Sequence, residues 1–228
     1  MPRRILFEAC VESTELAIAA EKGGADRIEL CADLDIGGVT PPQPMIAETR
    51  RLLTIPIHVL IRPRGGDFCY SNEEFELMKS GVLFAKKAGA NGIVVGILNQ
   101  DKTVDVERTR ILTELARPMS VTFHRAFDET PDPYRALQDI IGMGIERLLT
   151  SGQKPAAEEG VSLIRELIQR SADRLKVMPG GGVKEINALE IIDETGASEL
   201  HGSLRSGGGY LTAEEYSERV RRFVGILP

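Results

Sequence analysis

GGADRIEL, residues 23–30, is the stretch whose reading decides the fold. It sets a glycine, Gly24, between a segment of helical spacing and a short run in which apolar and polar residues alternate. A glycine in that place takes the left-handed conformation that ends a helix, so the chain turns at once into a strand. The phrase returns as AGANGIVV at 88–95, MGIERLLT at 143–150 and TGASELHG at 195–202, with Gly89, Gly144 and Gly196 in the position of Gly24. Each phrase is a helix-to-strand joint. Between them stand four more strand-like runs: RILFEA at 4–9, PIHVLIR at 56–62, MSVTFHR at 119–125 and RLKVMP at 174–179.

Helical spacing fills the intervals, over Glu12–Gly23, Pro42–Leu53, Asn72–Ala88, Val104–Ala116, Pro133–Met143, Ala156–Ser171, Lys184–Glu194 and Thr212–Phe223. Eight strands alternating with eight helices in 228 residues predict an α/β chain folded as a single (β/α)8 TIM barrel over residues 1–228, closed by right-handed crossovers. The last helix is expected at about 212–223. A doubly wound open sheet would carry a glycine fingerprint after its first strand, and CVESTE at 10–15 has no glycine.

Composition narrows the class. With 42% hydrophobic and 27% charged residues and a mean hydropathy of -0.10, the chain reads as an ordinary soluble domain. No apolar run approaches the length of a membrane span, and the apolar part of MPRRILFEACVES is too short for a secretory signal, so a cytoplasmic protein without a membrane partner is expected. Three cysteines without a CxxC pair suit a reducing compartment. A net charge of -6 with no basic stripe argues against nucleic acid.

Strand alternation sorts the side chains. The apolar half faces the helices, which leaves Glu8 and Cys10, Glu29 and Cys31, then His58, Leu60 and Arg62 on the inner side. Ser120, Thr122 and His124, with Glu199, His201 and Ser203, join them. So many polar groups inside a barrel need partners or a ligand. As structure alone, Arg62 would hold the two glutamates. As a site, Glu8, Glu29, Arg62, His124 and His201 converge on the C-terminal mouth, where barrels of this kind do their chemistry. Glu8 or Glu29 would serve as base and His124 or His201 as acid in an isomerase or lyase acting on a small anionic or phosphorylated metabolite.

The motifs after the strands add binding groups. IRPRGGDF at 61–68 offers Arg62 and Arg64 to a carboxylate or phosphate, unless Asp67 occupies one of them. PGGG at 179–182, taken to open the next helix, and HGS at 201–203 follow the seventh and eighth strands, the usual phosphate loops of a barrel. Gly180, Gly181, Gly182, Gly202 and Ser203 are the candidates. In FHRAFD at 123–128, Asp128 would orient Arg125. Cys10 and Cys31 end neighbouring strands and, with Cys69, offer soft ligands of the kind Cu(I) prefers, although spacing alone also fits inert packing. Glu8, Glu29, His124 and His201 offer a hard-metal set instead.

The string LFEACVES, RIELC, GGVTP, IRPRGGDFCYS, SVTFHRAFD, LLTSGQ, VMPGGGV and ELHGS resembles the CutC family, named for copper homeostasis. The resemblance covers almost the whole chain and implies a cytoplasmic (β/α)8 barrel, a homo-oligomer, and a role in binding or tolerating copper, with Cu(I) at Cys10 and Cys31 and no other cofactor. Two departures stand out. Pro42 occupies the third place of the usual TPS, and Lys102 stands where glycine is common.

Overall fold

The computed structural model describes residues 4–205 and 212–228. The strands are β1 (Leu6–Val11), β2 (Arg27–Leu30), β3 (Ile57–Leu60), β4 (Gly92–Val95), β5 (Ser120–Phe123), β6 (Arg147–Thr150), β7 (Lys176–Pro179) and β8 (Glu199–Gly202). The helices between them are α1 (Thr14–Gly23), α2 (Gln43–Leu52), α3 (Asn72–Lys87), α4 (Val106–Ala116), α5 (Pro133–Gly142), α6 (Val161–Ser171) and α7 (Ala188–Thr195), and α8 (Ala213–Ile226) follows β8. All strand pairs are parallel, in the order β7-β6-β5-β4-β3-β2-β1-β8. β7 and β8 lie side by side without a ladder and bring the sheet to near closure as a (β/α)8 barrel.

The four glycine joints do what their positions demand. Gly24, Gly89, Gly144 and Gly196 have φ of 98, 84, 70 and 73°, values that an L side chain rarely adopts. Helix starts follow local chemistry as well. The Ser13 hydroxyl accepts from the Leu16 amide, and Ser71 with Glu74 and Thr212 with Glu215 form reciprocal capping boxes. Pro42 leaves the start of α2 without a side-chain cap, and Lys102 holds φ 62°, which a glycine would adopt freely.

Two helices begin four or more residues later than their spacing predicts. Before α6, residues Ala157–Glu159 form a 3-10 turn and Gly160 packs so tightly on the Ser151 carbonyl that a Cβ there would lie 2.0 Å from it. Before α7, the Asn187 side chain accepts from the Lys184 amide at 2.8 Å and donates to the Gly182 carbonyl at 3.0 Å, bonds that hold 184–187 as a turn. PGGG therefore runs into a turn and not into a helix N-terminus.

The helix-facing side of the sheet is the main core: Phe7, Ala9, Ile28, Leu30, Val59, Val121, Phe123, Leu148 and Leu200 are buried against the helices. The C-terminal helix packs on α1 at Gly23, where a Cβ would come within 2.6 Å of the Val220 side chain, so this contact requires glycine. Inside the barrel a second, smaller apolar cluster joins Cys10, Cys31, Leu60 and Val94. Gly92 and Gly96 make room for the imidazoles of His58 and His124, which a Cβ would meet at 2.5 and 2.3 Å.

Candidate functional site

The lower interior, near the strand beginnings, is an ionic plug. Arg27 opens β2 and donates through Nε to Glu8 and through Nη2 to Glu199 at 2.7 Å. Arg147 opens β6 and reaches the same Glu199 oxygen at 2.9 Å, with its Nη1 on the Ser120 hydroxyl at 2.6 Å. This corrects the expectation that Arg62 holds the glutamates: Arg27 holds Glu8, and its second carboxylate is Glu199, not Glu29. Arg27 and Arg147 were legible by the same alternation, two residues before Glu29 and Leu149, but strand-start cations pass easily for surface residues.

Glu8 has both oxygens engaged, one by Arg27 and the other by His201 Nδ1 at 2.8 Å. Burial pushes its carboxyl up, yet Arg27, His201 and His58 outweigh burial and hold it well below its usual value. Burial drives the His58 imidazole down to about 3 against the pull of Glu8, so it stays neutral 3.6 Å from that carboxylate. Glu8 is thus a fixed anion that orients His201.

Above the plug, the ends of β1, β2 and β8 bring four donors together. Parallel pairing sets Cys10 beside Glu29 and Glu8 beside His201, so the register places these groups on one wall. The Cys10 thiol donates to Glu29 Oε1 at 3.3 Å and lies 3.7 Å from the Cys31 sulfur, whose own thiol reaches the Val11 carbonyl at 3.4 Å. Ligand atoms of Cys10, Glu29 and His201 all fall within 4.8 Å of one another. Glu29 Oε2 is buried without a partner. Hydrogen bonding to Cys31, together with burial, pushes the Cys10 thiol well above its usual pKa. Burial also raises Glu29. For His201 burial acts downward, but Glu29 and Glu8 outweigh it and raise the imidazole.

The remaining expected groups sit elsewhere around the mouth. Arg62 turns inward, 5% exposed, and donates to the Ile36, Gly38 and Gly66 carbonyls. Arg64 is tied to Glu74 at 2.6 Å and to Asp67 at 2.9 Å, so it braces its own loop. His124 accepts the Ala126 amide on Nδ1, and burial brings its imidazole down to about 3. It does not join the Cys10, Glu29 and His201 group. Arg125 is held by Asp128 at 2.8 Å and lies against Gly181, 2.9 Å from where a Cβ would stand. Gly180 packs on His201, Gly182 gives its carbonyl to Asn187, Gly202 ends β8 and Ser203 follows it half-buried. Cys69 donates to the Asn99 carbonyl at 3.0 Å and stays apart from the other two thiols.

The CutC family model matches residues 5–206. The chain belongs to the CutC family. The human copper homeostasis protein cutC homolog is 44% identical over 229 residues, spanning 94% of this chain and 84% of its own. A CutC family protein of Chromobacterium violaceum is 46% identical over 200 residues, 88% of this chain and 81% of its own. The crystal structure of CutC from Streptococcus agalactiae superposes with a TM-score of 0.84 at 32% identity, covering 88% of this chain and all of that one. The CutC barrel is therefore the fold found here, and no helix among the described residues is long and apolar enough to cross a membrane.

Proposed function

We propose that this CutC protein binds Cu(I) as its cargo at the mouth of the barrel and serves copper homeostasis in the cytoplasm. One observation carries the reading: two thiols lie 3.7 Å apart, and that of Cys10 falls within 4.8 Å of an imidazole and a carboxylate, all buried. Soft sulfur in low coordination suits Cu(I), and the imidazole adds a compatible third donor. The Glu8 to His201 hydrogen bond is the support that metal-binding histidines ordinarily have, since it fixes the ring and leaves Nε2 to a ligand. Cys10 and Cys31 would hold the ion, His201, within 4.8 Å of Cys10, would be the added donor, and the thiol protons would leave as it enters. The free state of all three cysteines accords with a reducing compartment.

A titration of the purified protein against a Cu(I)-specific chelator tests this. One tightly held Cu(I) per chain is expected, with affinity falling at least roughly a hundredfold, about 2.7 kcal/mol, when Cys10 and Cys31 both become serine. Unchanged stoichiometry and affinity in that variant would sink the proposal. Light scattering on the same sample reads the homo-oligomer that membership of the family implies. The alternative of an acid-base enzyme draws less from the geometry, because Glu8 is committed to Arg27 and His201.

A further inference from the structure

Arg62 is a buried cation with no carboxylate within ion-pair distance among the described residues, whereas the other deeply buried guanidinium, Arg27, has two. Its hydrogen bonds all go to neutral carbonyls. The nearby Asp67, whose carboxyl feels Arg62, is exposed and bonded to Arg64. A charge out of water without a counter-charge is costly, so this position calls for an anion.

The surroundings say what kind. Arg62 Nε and His124 Nε2 are buried without a hydrogen-bond partner, and the buried Tyr70 hydroxyl lies beside the Arg62 guanidinium. His124 accepts on Nδ1, so its single proton sits on Nε2 and points a donor outward from that edge. Arg62 comes within side-chain hydrogen-bonding range of the Tyr70 hydroxyl and acts through its charge on the His124 ring. Phe68, half-buried, lies against two of them: its ring centroid is 5.0 Å from that of His124 and 4.8 Å from the Arg62 guanidinium carbon. Arg62 and His124 thus meet under one aromatic ring with Tyr70 beside the guanidinium, and no carboxylate among the described residues pairs with Arg62.

We propose that Arg62, Tyr70 and His124 form a binding site for a small monoanionic carboxylate, reached by displacement of Phe68. The two oxygens of a carboxylate offer enough lone pairs for three separate donors. Charge decides against a phosphate dianion. Burial brings His124 down to about 3 and pushes Tyr70 up to about 12, so both are neutral at pH 7 and the guanidinium supplies the single positive charge. The site shares no residue with the thiol pair but borders it: Gly38 gives its carbonyl to Arg62 at 2.9 Å, and a Cβ on Gly38 would stand 3.8 Å from the Cys31 sulfur.

Calorimetry on the intact, metal-free protein, with acetate, pyruvate and L-lactate at matched ionic strength and inorganic phosphate for comparison, tests it. Saturable binding of at least one carboxylate is expected, about tenfold weaker in Tyr70→Phe, a variant that removes only the hydroxyl and whose unliganded melting temperature reports its fold. The Cys10→Ser, Cys31→Ser double variant should bind the carboxylate as the wild type does, which keeps this outcome distinct from that of the copper titration. Absence of saturable carboxylate binding, binding of phosphate alone, or unaltered affinity in Tyr70→Phe would each overturn the proposal.

Discussion

The lower and upper halves of the barrel interior are built from the same residue types and treat them in opposite ways. Below, Arg27, Glu8, Glu199, Arg147 and Ser120 satisfy one another in a closed network. Above, Glu29, Arg62 and His124 each keep a buried polar atom without a partner, as do His58 Nδ1 at the edge of the plug and the interior Thr122 hydroxyl. A fold gains nothing from leaving such atoms unmade, since each carries its desolvation cost. The closed ionic network marks the lower set as structure, while the ionisable groups left open at the mouth, Glu29 and Arg62, are the ones a ligand would complete.

Removing the clamp of the plug gives the largest effect expected. Arg27→Met takes the guanidinium from Glu8, leaving it to His201, and leaves Glu199 to Arg147 alone; it should cost about 3–5 kcal/mol, read as a shift of the urea midpoint at unchanged slope. A loss below about 1 kcal/mol would mean that the plug is no more structural than the mouth.

The two glutamates make the sharper contrast, because they differ in setting and not in kind. The Glu8 carboxyl is held below its unfolded value, so its ionisation stabilises the fold above about pH 4.5 and that gain is lost as pH falls through the folded pKa. Glu29 is raised, so stability falls as pH climbs from about 4.5 to its folded pKa and is flat above it. At pH 7, Glu8→Gln should lose about 3 kcal/mol while Glu29→Gln is neutral or gains up to about 1 kcal/mol, and the gap should narrow below about pH 4.5. Equal losses in the two variants would erase the distinction. The smallest effect belongs to Thr122, with its unpartnered hydroxyl in the interior: Thr122→Val should gain about 1 kcal/mol in thermal unfolding, and a loss would show that the hydroxyl has a partner in solution.

Much of this was legible in the chain. The four glycine phrases located half of the strands, and alternation put Glu8, Cys10, Glu29, Arg62, His124 and His201 inside before any coordinates. It stopped short of pairing, because periodicity gives a side and not a distance. Hence Arg27 and Arg147, on the inward parity at the first residue of their strands, went unread, and Arg62 was given the task that Arg27 performs. Tyr70 was missed for another reason: it lies in the loop after β3, where no period operates. The early start expected for α7 failed because Asn187 makes side-chain bonds that hold a turn, which residue spacing does not reveal.

The central claim is that the mouth, and not the plug, receives the cargo. X-ray absorption at the copper edge of the Cu(I)-loaded protein tests it most directly. Two sulfur neighbours and one imidazole nitrogen are expected, the sulfurs vanishing in the Cys10→Ser, Cys31→Ser variant. A shell of oxygen and nitrogen only in the wild-type protein would contradict the account.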